Sequence, residues 1–466
     1  MSAIKQPLTP AGLPDNIADL RAGIRMGHYD VSQVLAQQRS AMATETYRCV
    51  VRMTPAAEVG AAVLDPTLPL SGVAVAHKDV FQIGDHLPGC GAVTGFRSKL
   101  EHEGTAPVVL RLQQAGAVAL ATLAMAEHAC GATGENPNTS RPINPLNQHA
   151  AVGGSSSGSA VAVAAGLCYA SLGTDTAGSV RMPAATCGIV GLKPGHGSLS
   201  LDGVAPLAPS MDTVGILARS ADDARLVLEA LHTASDEHIR SPHRPASRVM
   251  ACWNHGSELG QADAATQDVL RHYARTVGAQ ERPDTLNGLA EWHRLAQVLM
   301  HSEAAMVHRS ALRGTAVGLG AHARAVALPG AVMPAWWYTQ ALAERAAHTQ
   351  AFVRAMFGDH DILLTPALPC RVPDWTDVDS RSPTFQPRRL LQLFSWMAFV
   401  SYLGLPAVVY PVGHDERGMP VSVQAIAPMG REAVLLDFAH ASARGLYGLP
   451  LSSRLHTAAA TSPVSL

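Results

Sequence analysis

The sequence predicts an α/β protein whose central sheet is largely parallel. From about Ala61 to Leu217, short apolar runs alternate with helical patterns, as they do when helices connect neighbouring strands of a parallel sheet. The 466 residues, 47% of them hydrophobic, suffice for a large buried core. The chain has no internal repeat of fixed period and no long linker, which favours one large domain over several.

The predicted elements follow in order along the chain. In residues 16–43, apolar positions recur at a helical period that is broken near Gly27, so two amphipathic helices are expected. The segments SGVAVAHKDVF and AVALATLA predict strands, and APVVLRLQQAG between them predicts a helix. Residues 219–325 are helix-like, and the helical pattern YTQALAERAAHTQAFVRAMF follows them.

The C-terminal part returns to strand patterns. DILLTPALP and PAVVYPVG predict two strands, and LLQLFSWMAFVSYLG predicts one helix before the second of them. The tail HTAAATSPVSL is expected to be disordered.

Composition and charge exclude several classes of protein. A formal net charge of −2, without any long run of like charges, argues against a nucleic-acid or membrane partner and favours a small, roughly neutral ligand. Seven scattered cysteines without a CxxC pair predict neither a disulfide framework nor a zinc site. No signal-peptide pattern and no P-loop or dinucleotide-binding motif is found, so we expect a cytoplasmic protein without a metal or cofactor.

The stretch AVGGSSSGSAVAVAAG, residues 151–166, is the first chemical signal. A flexible Gly/Ser linker would continue in polar sequence, but an apolar segment follows at once. The stretch also matches G-x-S-x-G with Ser156 as the nucleophile, although that turn must follow a strand and the preceding residues are polar. A second Gly/Ser turn, GTDTAGSVRMPA, lies further along the chain. Two turns joined by a helix and a strand can bring their serines side by side.

A serine nucleophile needs a base, and a lysine can serve if burial keeps it neutral. The chain has only four lysines against 31 arginines, and arginine cannot lose its proton in a protein. Lys78, in the apolar run SGVAVAHKDVF, is the candidate base. The structural alternative for Lys78 is an ion pair with Asp79 or another acid. Lys193, which precedes a proline, is the less favoured candidate.

These motifs resemble those of the amidase signature family, whose pattern is close to G-G-S-S-G-G-S followed by G-T-D-T-G-G-S-I-R-x-P-A. The corresponding stretch here is GGSSSGSAVAVAAGLCYASLGTDTAGSVRMPAATCGIVGLKP. Segments such as SMDTVGILARSADD and LGLPAVVYPVGHDERGMPVSVQAIAP follow in the family's order. The resemblance therefore covers roughly residues 10–445.

The resemblance implies one α/β/α domain, residues 1–466, in which a mixed, largely parallel sheet is flanked by helices on both faces. Within it we expect a helical N-terminal region at about 12–60, a catalytic core at about 61–220, a more helical, variable region at about 221–355, and C-terminal core elements at about 356–450. Members of the family are often dimeric, so a homodimer is an expectation from the resemblance.

The resemblance also implies a Ser-Ser-Lys triad. Ser179 would be the nucleophile, Ser155 the bridging serine that relays protons, and Lys78 the base. A cis peptide bond would join Gly154 to Ser155, with Ser156 supporting the same turn.

A tetrahedral oxyanion needs N–H donors from a preorganised turn. The predicted donors are the backbone N–H groups of Thr176, Ala177, Gly178 and Ser179. Asp175 and Arg181 match the family's Asp and Arg, and we expect them to pair and brace this turn.

Three residues depart from the family's pattern. Ser157 and Ala177 replace glycines, and His77 stands where an apolar residue is common. A Cβ at position 177 narrows the space beside the oxyanion and is strained if φ is positive. Strand alternation favours a His77 side chain that faces away from Lys78.

Substrate-binding residues are less well determined by these patterns. Glu127 and His128 lie near the expected pocket and either select a polar substrate or serve the structure. Trp336 and Trp337 either line an apolar pocket or anchor the core.

We expect a hydrolase of small-molecule carboxamides that acts through an acyl-enzyme on Ser179. One alternative is the glutaminase-type component of a tRNA-dependent amidotransferase, which requires a partner protein. Another is a catalytically impaired relative that only binds an amide, an interpretation prompted by Ala177 and Ser157.

Overall fold

The computed structural model describes residues 12–60, 65–92, 104–232, 248–282, 286, 288–313 and 319–446. Within these ranges the chain forms an eleven-stranded sheet. The strands are β1 (Val50–Met53), β2 (Ala74–Lys78), β3 (Val118–Leu123), β4 (Ala170–Asp175), β5 (Val190–Lys193), β6 (Thr213–Ala218), β7 (Val249–Cys252), β8 (Gln280–Arg282), β9 (Ile362–Pro366), β10 (Ala407–His414) and β11 (Pro420–Ile426).

The sheet is mixed, in the order β1-β3-β2-β4-β6-β5-β10-β11-β9-β7-β8. Strand β2 runs parallel to β3 and β4, and β7 runs parallel to β8 and β9. The other pairings between these strands are antiparallel and outnumber the parallel ones. The predicted mixed α/β sheet is confirmed, but the sheet is not largely parallel, because buried strands of both kinds read as short apolar runs.

Helices surround this sheet. They are α1 (Ile17–Arg25), α2 (Val31–Ala43), α3 (Ala56–Gly60), α4 (Pro107–Gln114), α5 (Ser157–Ala164), α6 (Arg181–Cys187), α7 (Ala221–Leu231), α8 (Ala264–Thr276), α9 (Leu289–Val307), α10 (Arg309–Arg313), α11 (Ala321–Val332), α12 (Ala335–Phe357), α13 (Trp375–Val378), α14 (Pro387–Gln392), α15 (Ala398–Tyr402) and α16 (Glu432–Leu446). No helix in the described ranges is both long and apolar enough to cross a membrane.

Both faces of the sheet are covered, as predicted. On β2, Ala74 and Ala76 belong to one apolar cluster and Val75 to another, because successive side chains of a strand point to opposite faces. Helix α5 lies in the first cluster and packs against β2 and β4. Helix α7 lies in the second cluster and packs against β5 and β6.

The N-terminal helices begin where their sequence predicts. Asn16 caps α1 by accepting a hydrogen bond from the N–H of Asp19, and Asp30 caps α2 in the same way through Gln33. Between the two helices Gly27 has φ +74°, a left-handed conformation that favours glycine. The predicted break near Gly27 is therefore confirmed.

The C-terminal part differs from the prediction in two places: one predicted helix is broken, and β11 is a strand that the patterns did not predict. Strands β9 and β10 and the long helix α12 lie where expected. Residues 390–404, predicted as one helix, instead contain the end of α14 and the whole of the short helix α15. At the break, Gln424 donates to the carbonyl of Trp396 and Arg181 donates to the carbonyl of Met397. Side chains from elsewhere in the fold thus bond carbonyl groups at this break. The predicted disordered tail lies outside the described residues.

Candidate active site

The serine-rich stretch is a buried turn and not a linker. Helix α5 starts directly after it, at Ser157. From Ala150 to Cys187, every residue is buried except Ala177 and Ser179. Ser156, the nucleophile of the G-x-S-x-G interpretation, is fully buried and donates to the carbonyl of Thr174 at 3.3 Å. Both the linker and the Ser156 interpretation are therefore wrong.

The two Gly/Ser turns lie side by side. The peptide bond between Gly154 and Ser155 is cis, as the family resemblance implies. The N–H of Ser156 donates to the carbonyl of Ser179 at 3.1 Å, which joins the first turn to the second. The carbonyl of Ser155 accepts the N–H of Ala126 at 3.1 Å.

Lys78 is the last residue of β2 and is fully buried. Its Nζ lies 2.8 Å from Ser155 Oγ and 2.8 Å from Thr174 Oγ1. The hydrogen-bond partners of the lysine nitrogen are thus two hydroxyl groups, whereas the Asp79 carboxylate accepts the N–H of Gly89 at 3.0 Å. The arrangement does not support the structural ion pair with Asp79. We refer to Lys78, Ser155 and the turn Thr176–Ser179 as the lysine–serine site.

The protonation of Lys78 is set mainly by its burial. Loss of water around the ammonium lowers the pKa of Lys78 from 10.5 to about 7, although attraction to Asp212 and Asp175 opposes this effect. Lys193 is also buried, and burial followed by repulsion from Arg181 lowers its pKa to about 7. The Nζ of Lys193, however, donates to the carbonyl of Pro194 at 2.8 Å. Of Lys78 and Lys193, the two lysines that the structure describes, Lys78 is the one whose nitrogen contacts a serine hydroxyl.

Asp175 and Arg181 form a fully buried ion pair at 2.8 Å. Burial alone would raise the pKa of Asp175, but attraction to Arg181 and its hydrogen bonds outweigh this and lower the pKa to about 2. The Asp175 carboxylate also accepts the N–H groups of Gly178 and Val180 at 2.8 and 3.2 Å. The expected pair is present, and it fixes the backbone of the turn that carries Ser179.

This bonding limits which N–H groups can face an oxyanion. The N–H of Gly178 is directed at Asp175, so it is not a free donor as the sequence predicts. The N–H groups of Ala177 and Ser179 have no backbone or side-chain acceptor among the residues that the structure describes. The N–H of Thr176, another predicted donor, also has no acceptor among the described residues, but Thr176 is buried. Ala177 and Ser179 are the half-buried residues of the turn, so we retain their N–H groups as the candidate donors.

Ala177 is not strained. Positive φ angles at non-glycine positions occur at Arg48, Cys90, His128 and Ala129, and not at Ala177. Positive φ instead falls on the retained glycine, Gly178, at +123°. The alanine is therefore compatible with the turn.

His77 lies away from the lysine–serine site. Its ring is 6.0 Å from the ring of Phe81, which shares an apolar cluster with Val75 on the face opposite Ala76. Strand alternation therefore predicts the orientation of this residue correctly. Burial lowers the pKa of His77 to about 4.

Two further side chains contact the site, and the sequence patterns did not identify them. Thr174 lies in the second Gly/Ser motif and bonds Lys78, and the strand-end position next to Asp175 is the signal that could have identified it. Asp212 accepts the hydroxyl of Thr176 at 2.5 Å. Its segment, SMDTVGILARSADD, carries part of the resemblance, but the sequence alone does not indicate a partner for its carboxylate.

Glu127 and His128 are both buried beside this site. The Glu127 carboxylate accepts from Asn138 Nδ2 at 2.9 Å and from the N–H of Gly320 at 2.8 Å, which ties it to the start of α11. The His128 ring packs 4.6 Å from the His308 ring, and burial lowers the pKa of His128 to about 3. These contacts favour the structural alternative for Glu127. Substrate binding by either residue stays a prediction.

Trp336 and Trp337 start helix α12 and are 62% and 40% exposed. Their rings contact each other edge to face at 5.8 Å. The interpretation as core anchors is therefore wrong, because neither ring is buried. A role in substrate binding stays a prediction.

One group of side chains in the described ranges has the composition of a metal site. It consists of Glu291, Glu344 and His348, whose ligand atoms lie within 4.8 Å of one another. None of its members belongs to the lysine–serine site.

Comparisons with known proteins identify the family of this chain. The family model described as Amidase matches residues 32–254 and 252–436. The chain belongs to the Amidase family. It is accordingly an enzyme that acts on carbon–nitrogen bonds of amides.

Individual relatives are similar over most of their length. The chain is 32% identical to a glutamyl-tRNA(Gln) amidotransferase subunit of Marinomonas sp. (strain MWYL1), over 80% of this chain and 82% of the relative. It is 33% identical to AtzE, the 1-carboxybiuret hydrolase subunit of Pseudomonas sp. (strain ADP), over 79% and 82%. A crystal structure of an amidase superposes with a TM-score of 0.81 at 28% identity, over 93% of this chain and all of that one.

Proposed function

We propose that this Amidase family member hydrolyses small-molecule carboxamides through an acyl-enzyme on Ser179, with Ser155 and Lys78 relaying protons. The observation that carries the proposal is the exposure pattern of the two turns. Ser179 is the serine within them that is not buried, whereas Lys78 and Ser155 are fully buried and in hydrogen-bond contact. A half-buried nucleophile next to a buried base relay is suited to acyl transfer.

The hydrogen bonds of Lys78 suit a neutral amine. The Lys78 nitrogen donates to Thr174 Oγ1 and to Ser155 Oγ, which uses the two N–H groups of a neutral amine. The lone pair of that amine is free to accept the Ser155 proton once the Ser155 hydroxyl turns toward it. With a pKa of about 7, the Lys78 side chain is neutral in about half of the molecules at pH 7. The base is therefore available at neutral pH without any histidine.

Acylation then proceeds by two linked proton transfers. Ser179 Oγ bonds to the amide carbon as its proton passes to Ser155, and the proton of Ser155 passes to Lys78. When the tetrahedral intermediate collapses, the C–N bond breaks and the leaving nitrogen takes a proton returned through Ser155. Ser179 keeps the acyl group until water, activated by the same relay, releases it as a carboxylic acid.

The developing oxyanion is bound by the turn itself. The N–H groups of Ala177 and Ser179 are the available donors, while Asp175 and Arg181 hold the backbone that presents them. Loss of a single oxyanion donor typically costs about 100-fold to 1000-fold in rate. The rigidity of this turn is thus a direct requirement of the proposed reaction.

The test is release of ammonia or amine over a panel of short aliphatic amides, aryl amides, ureas and glutamine. Ureas are included because one relative is named as part of a 1-carboxybiuret hydrolase. Release that is present in the wild type, absent in Ser179→Ala and retained in Ser171→Ala supports the proposal. Ser171 is a matched control because it is a buried serine on β4 that donates only to a backbone carbonyl. Release that persists in Ser179→Ala contradicts the proposal.

A second candidate function is that of a glutaminase subunit. It is favoured by the 32% identity to a glutamyl-tRNA(Gln) amidotransferase subunit. This function predicts ammonia release from glutamine alone among the panel, at a rate that rises when the partner protein is added. Hydrolysis of aryl or aliphatic amides by the isolated chain contradicts it.

The proposal disfavours a purely binding protein. That alternative was prompted by Ala177 and Ser157. The φ angle of Ala177 is not positive, and Ser157 is the buried first residue of α5. A binding protein would leave Ser179 unreactive toward a fluorophosphonate, whereas the proposed hydrolase reacts with it.

A further inference from the structure

Asp212 directly precedes β6 and was not among the residues predicted for the site. It is buried, and both of its carboxylate oxygens are occupied. One oxygen accepts the hydroxyl of Thr176 at 2.5 Å. The other accepts the N–H groups of Leu207 and Ala208 at 2.8 and 3.0 Å. Three donors on two oxygens suit an ionised carboxylate, which accepts hydrogen bonds at both oxygens.

The sheet register explains why this carboxylate reaches the turn. Strand β4 lies between β2 and β6, and Asp175 at its end pairs with Thr213. Asp212 is therefore opposite Thr176, the first residue of the turn. Lys78 approaches the same segment from β2 and bonds Thr174. The lysine and Asp212 thus contact one short piece of chain from its two sides.

We propose that Asp212 is a positioning residue of the lysine–serine site: through Thr176 it holds the turn that carries Ser179, and its negative charge acts on Lys78. This inference rests on the proposed function. Two carboxylates then fix the turn that carries Ser179. Asp175 bonds its end through Gly178 and Arg181, and Asp212 bonds its first residue, Thr176.

Unlike the Asp175 carboxylate, which bonds Arg181, the Asp212 carboxylate has no cationic hydrogen-bond partner among the described residues. The titratable groups around Lys78 are Asp212, Asp175, Cys90 and Cys130. Asp175 is paired with Arg181, so much of its charge is offset locally. Burial raises the pKa of Cys130 far above its usual range, so this thiol stays neutral. Asp212 therefore raises the pKa of Lys78 more than Asp175 does.

The groups that face Asp212 itself do not cancel its charge. Glu303 approaches it and carries the same sign, which raises the pKa of Asp212 after the larger effect of burial. The His196 ring nitrogen Nδ1 contacts the backbone carbonyl of Asp212 at 3.1 Å, and burial lowers the pKa of His196, so the ring is neutral at pH 7.

Two substitutions separate the two effects. Asp212→Asn removes the charge while its amide keeps hydrogen-bonding capacity toward Thr176 and the loop. Thr176→Val keeps the shape of the side chain and the charge of Asp212 but removes the hydroxyl that links them. Asp202→Asn is the control, because Asp202 is an exposed acid whose carboxylate bonds only Ser200.

The readout is the rate at which a fluorophosphonate labels Ser179, measured from pH 5.5 to 9. Labelling rises with pH as Lys78 becomes neutral. In Asp212→Asn the rise moves to lower pH by about one unit, because a nearby anion no longer stabilises the ammonium. In Thr176→Val the rise stays in place and the plateau falls about 10-fold to 100-fold, the effect of a misplaced reacting group. Asp202→Asn behaves as the wild type.

A merely structural role for Asp212 would lower the plateau without moving the pH dependence. The inference is overturned if Asp212→Asn labels with the wild-type pH dependence, or if Thr176→Val keeps the wild-type plateau, while wild-type Ser179 is labelled. If Ser179 of the wild type is not labelled at any pH, the proposed function fails and this inference fails with it. The two failures are therefore distinguishable.

Discussion

Substitution of Arg181 by methionine removes the cation that braces the active turn. The Arg181 guanidinium is fully buried and donates to both oxygens of Asp175, to the Met397 carbonyl, to Gln424 and to Ser401. Methionine fills most of the same space without charge. Removal of one partner of a buried ion pair leaves the other charge unpaired and costs about 3 to 5 kcal/mol.

The pKa of Asp175 gives a second magnitude, which is the net effect of burial, of Arg181 and Lys193, and of the hydrogen bonds that the carboxylate accepts. It is lowered from 3.8 to about 2, which corresponds to roughly 2 to 3 kcal/mol at about 1.4 kcal/mol per pKa unit. Because the folded-state pKa lies below the unfolded value, this contribution is complete above about pH 4 to 5. It is lost as the pH falls toward about 2. At pH 7 the stability contribution linked to the lowered pKa of Asp175 is therefore fully present.

The assay is urea unfolding at pH 7, followed by tryptophan fluorescence. We expect Arg181→Met to lower the free energy of unfolding by about 3 kcal/mol or more. The double variant Arg181→Met/Asp175→Asn should recover part of this loss, because it removes the unpaired carboxylate. A loss below about 1 kcal/mol in Arg181→Met, or a double variant less stable than the single one, would refute this reasoning.

Three further predictions concern the lysine–serine site and its surroundings. With a Lys78 pKa of about 7 and a neutral amine as the base, kcat/KM should rise about 10-fold between pH 6 and pH 8. Lys78→Arg should abolish turnover. A Lys78→Arg enzyme that is active and independent of pH would contradict the mechanism. Gly178→Ala should lower both the melting temperature and kcat. The new Cβ would lie 2.7 Å from Met397 Cβ, and the φ angle of +123° at this position disfavours any side chain. Ala177→Gly is the matched control and should fold normally, because Ala177 does not have a positive φ. Glu127→Gln should change stability by about 1 kcal/mol and leave the substrate ranking of the amide panel unchanged, because this carboxylate bonds only protein groups among the described contacts; a changed ranking would assign it to the substrate pocket.

Local patterns in the sequence predict the elements that carry the site well. The period-2 alternation of β2 places Lys78 and His77 on different sides, and the Gly/Ser composition marks both turns. A cis bond between Gly154 and Ser155, expected from the resemblance, is present. These features depend on residues close in sequence or on long, specific motifs.

Features that depend on a side-chain rotamer or on contacts between distant segments were not predictable in the same way. Gly178 was expected to offer its N–H to an oxyanion, but Asp175 accepts that N–H through a side-chain rotamer that sequence does not specify. Asp212 reaches Thr176 because β6 pairs antiparallel with β4, and apolar runs do not reveal strand direction. The expectation that Trp336 anchors the core was wrong for a different reason: it followed the general tendency of tryptophan to be buried, whereas this side chain is exposed.

Mass-spectrometric mapping of fluorophosphonate-treated protein tests the proposed acyl-transfer chemistry at its first covalent step. The wild type should carry one label, on Ser179, and the label should be absent in Ser179→Ala. Labelling should fall steeply in Lys78→Met, because the buried relay to Ser155 is then lost. A label on another residue, or an undiminished label on Ser179 in Lys78→Met, would contradict the assignment of Lys78 as the base and Ser179 as the nucleophile.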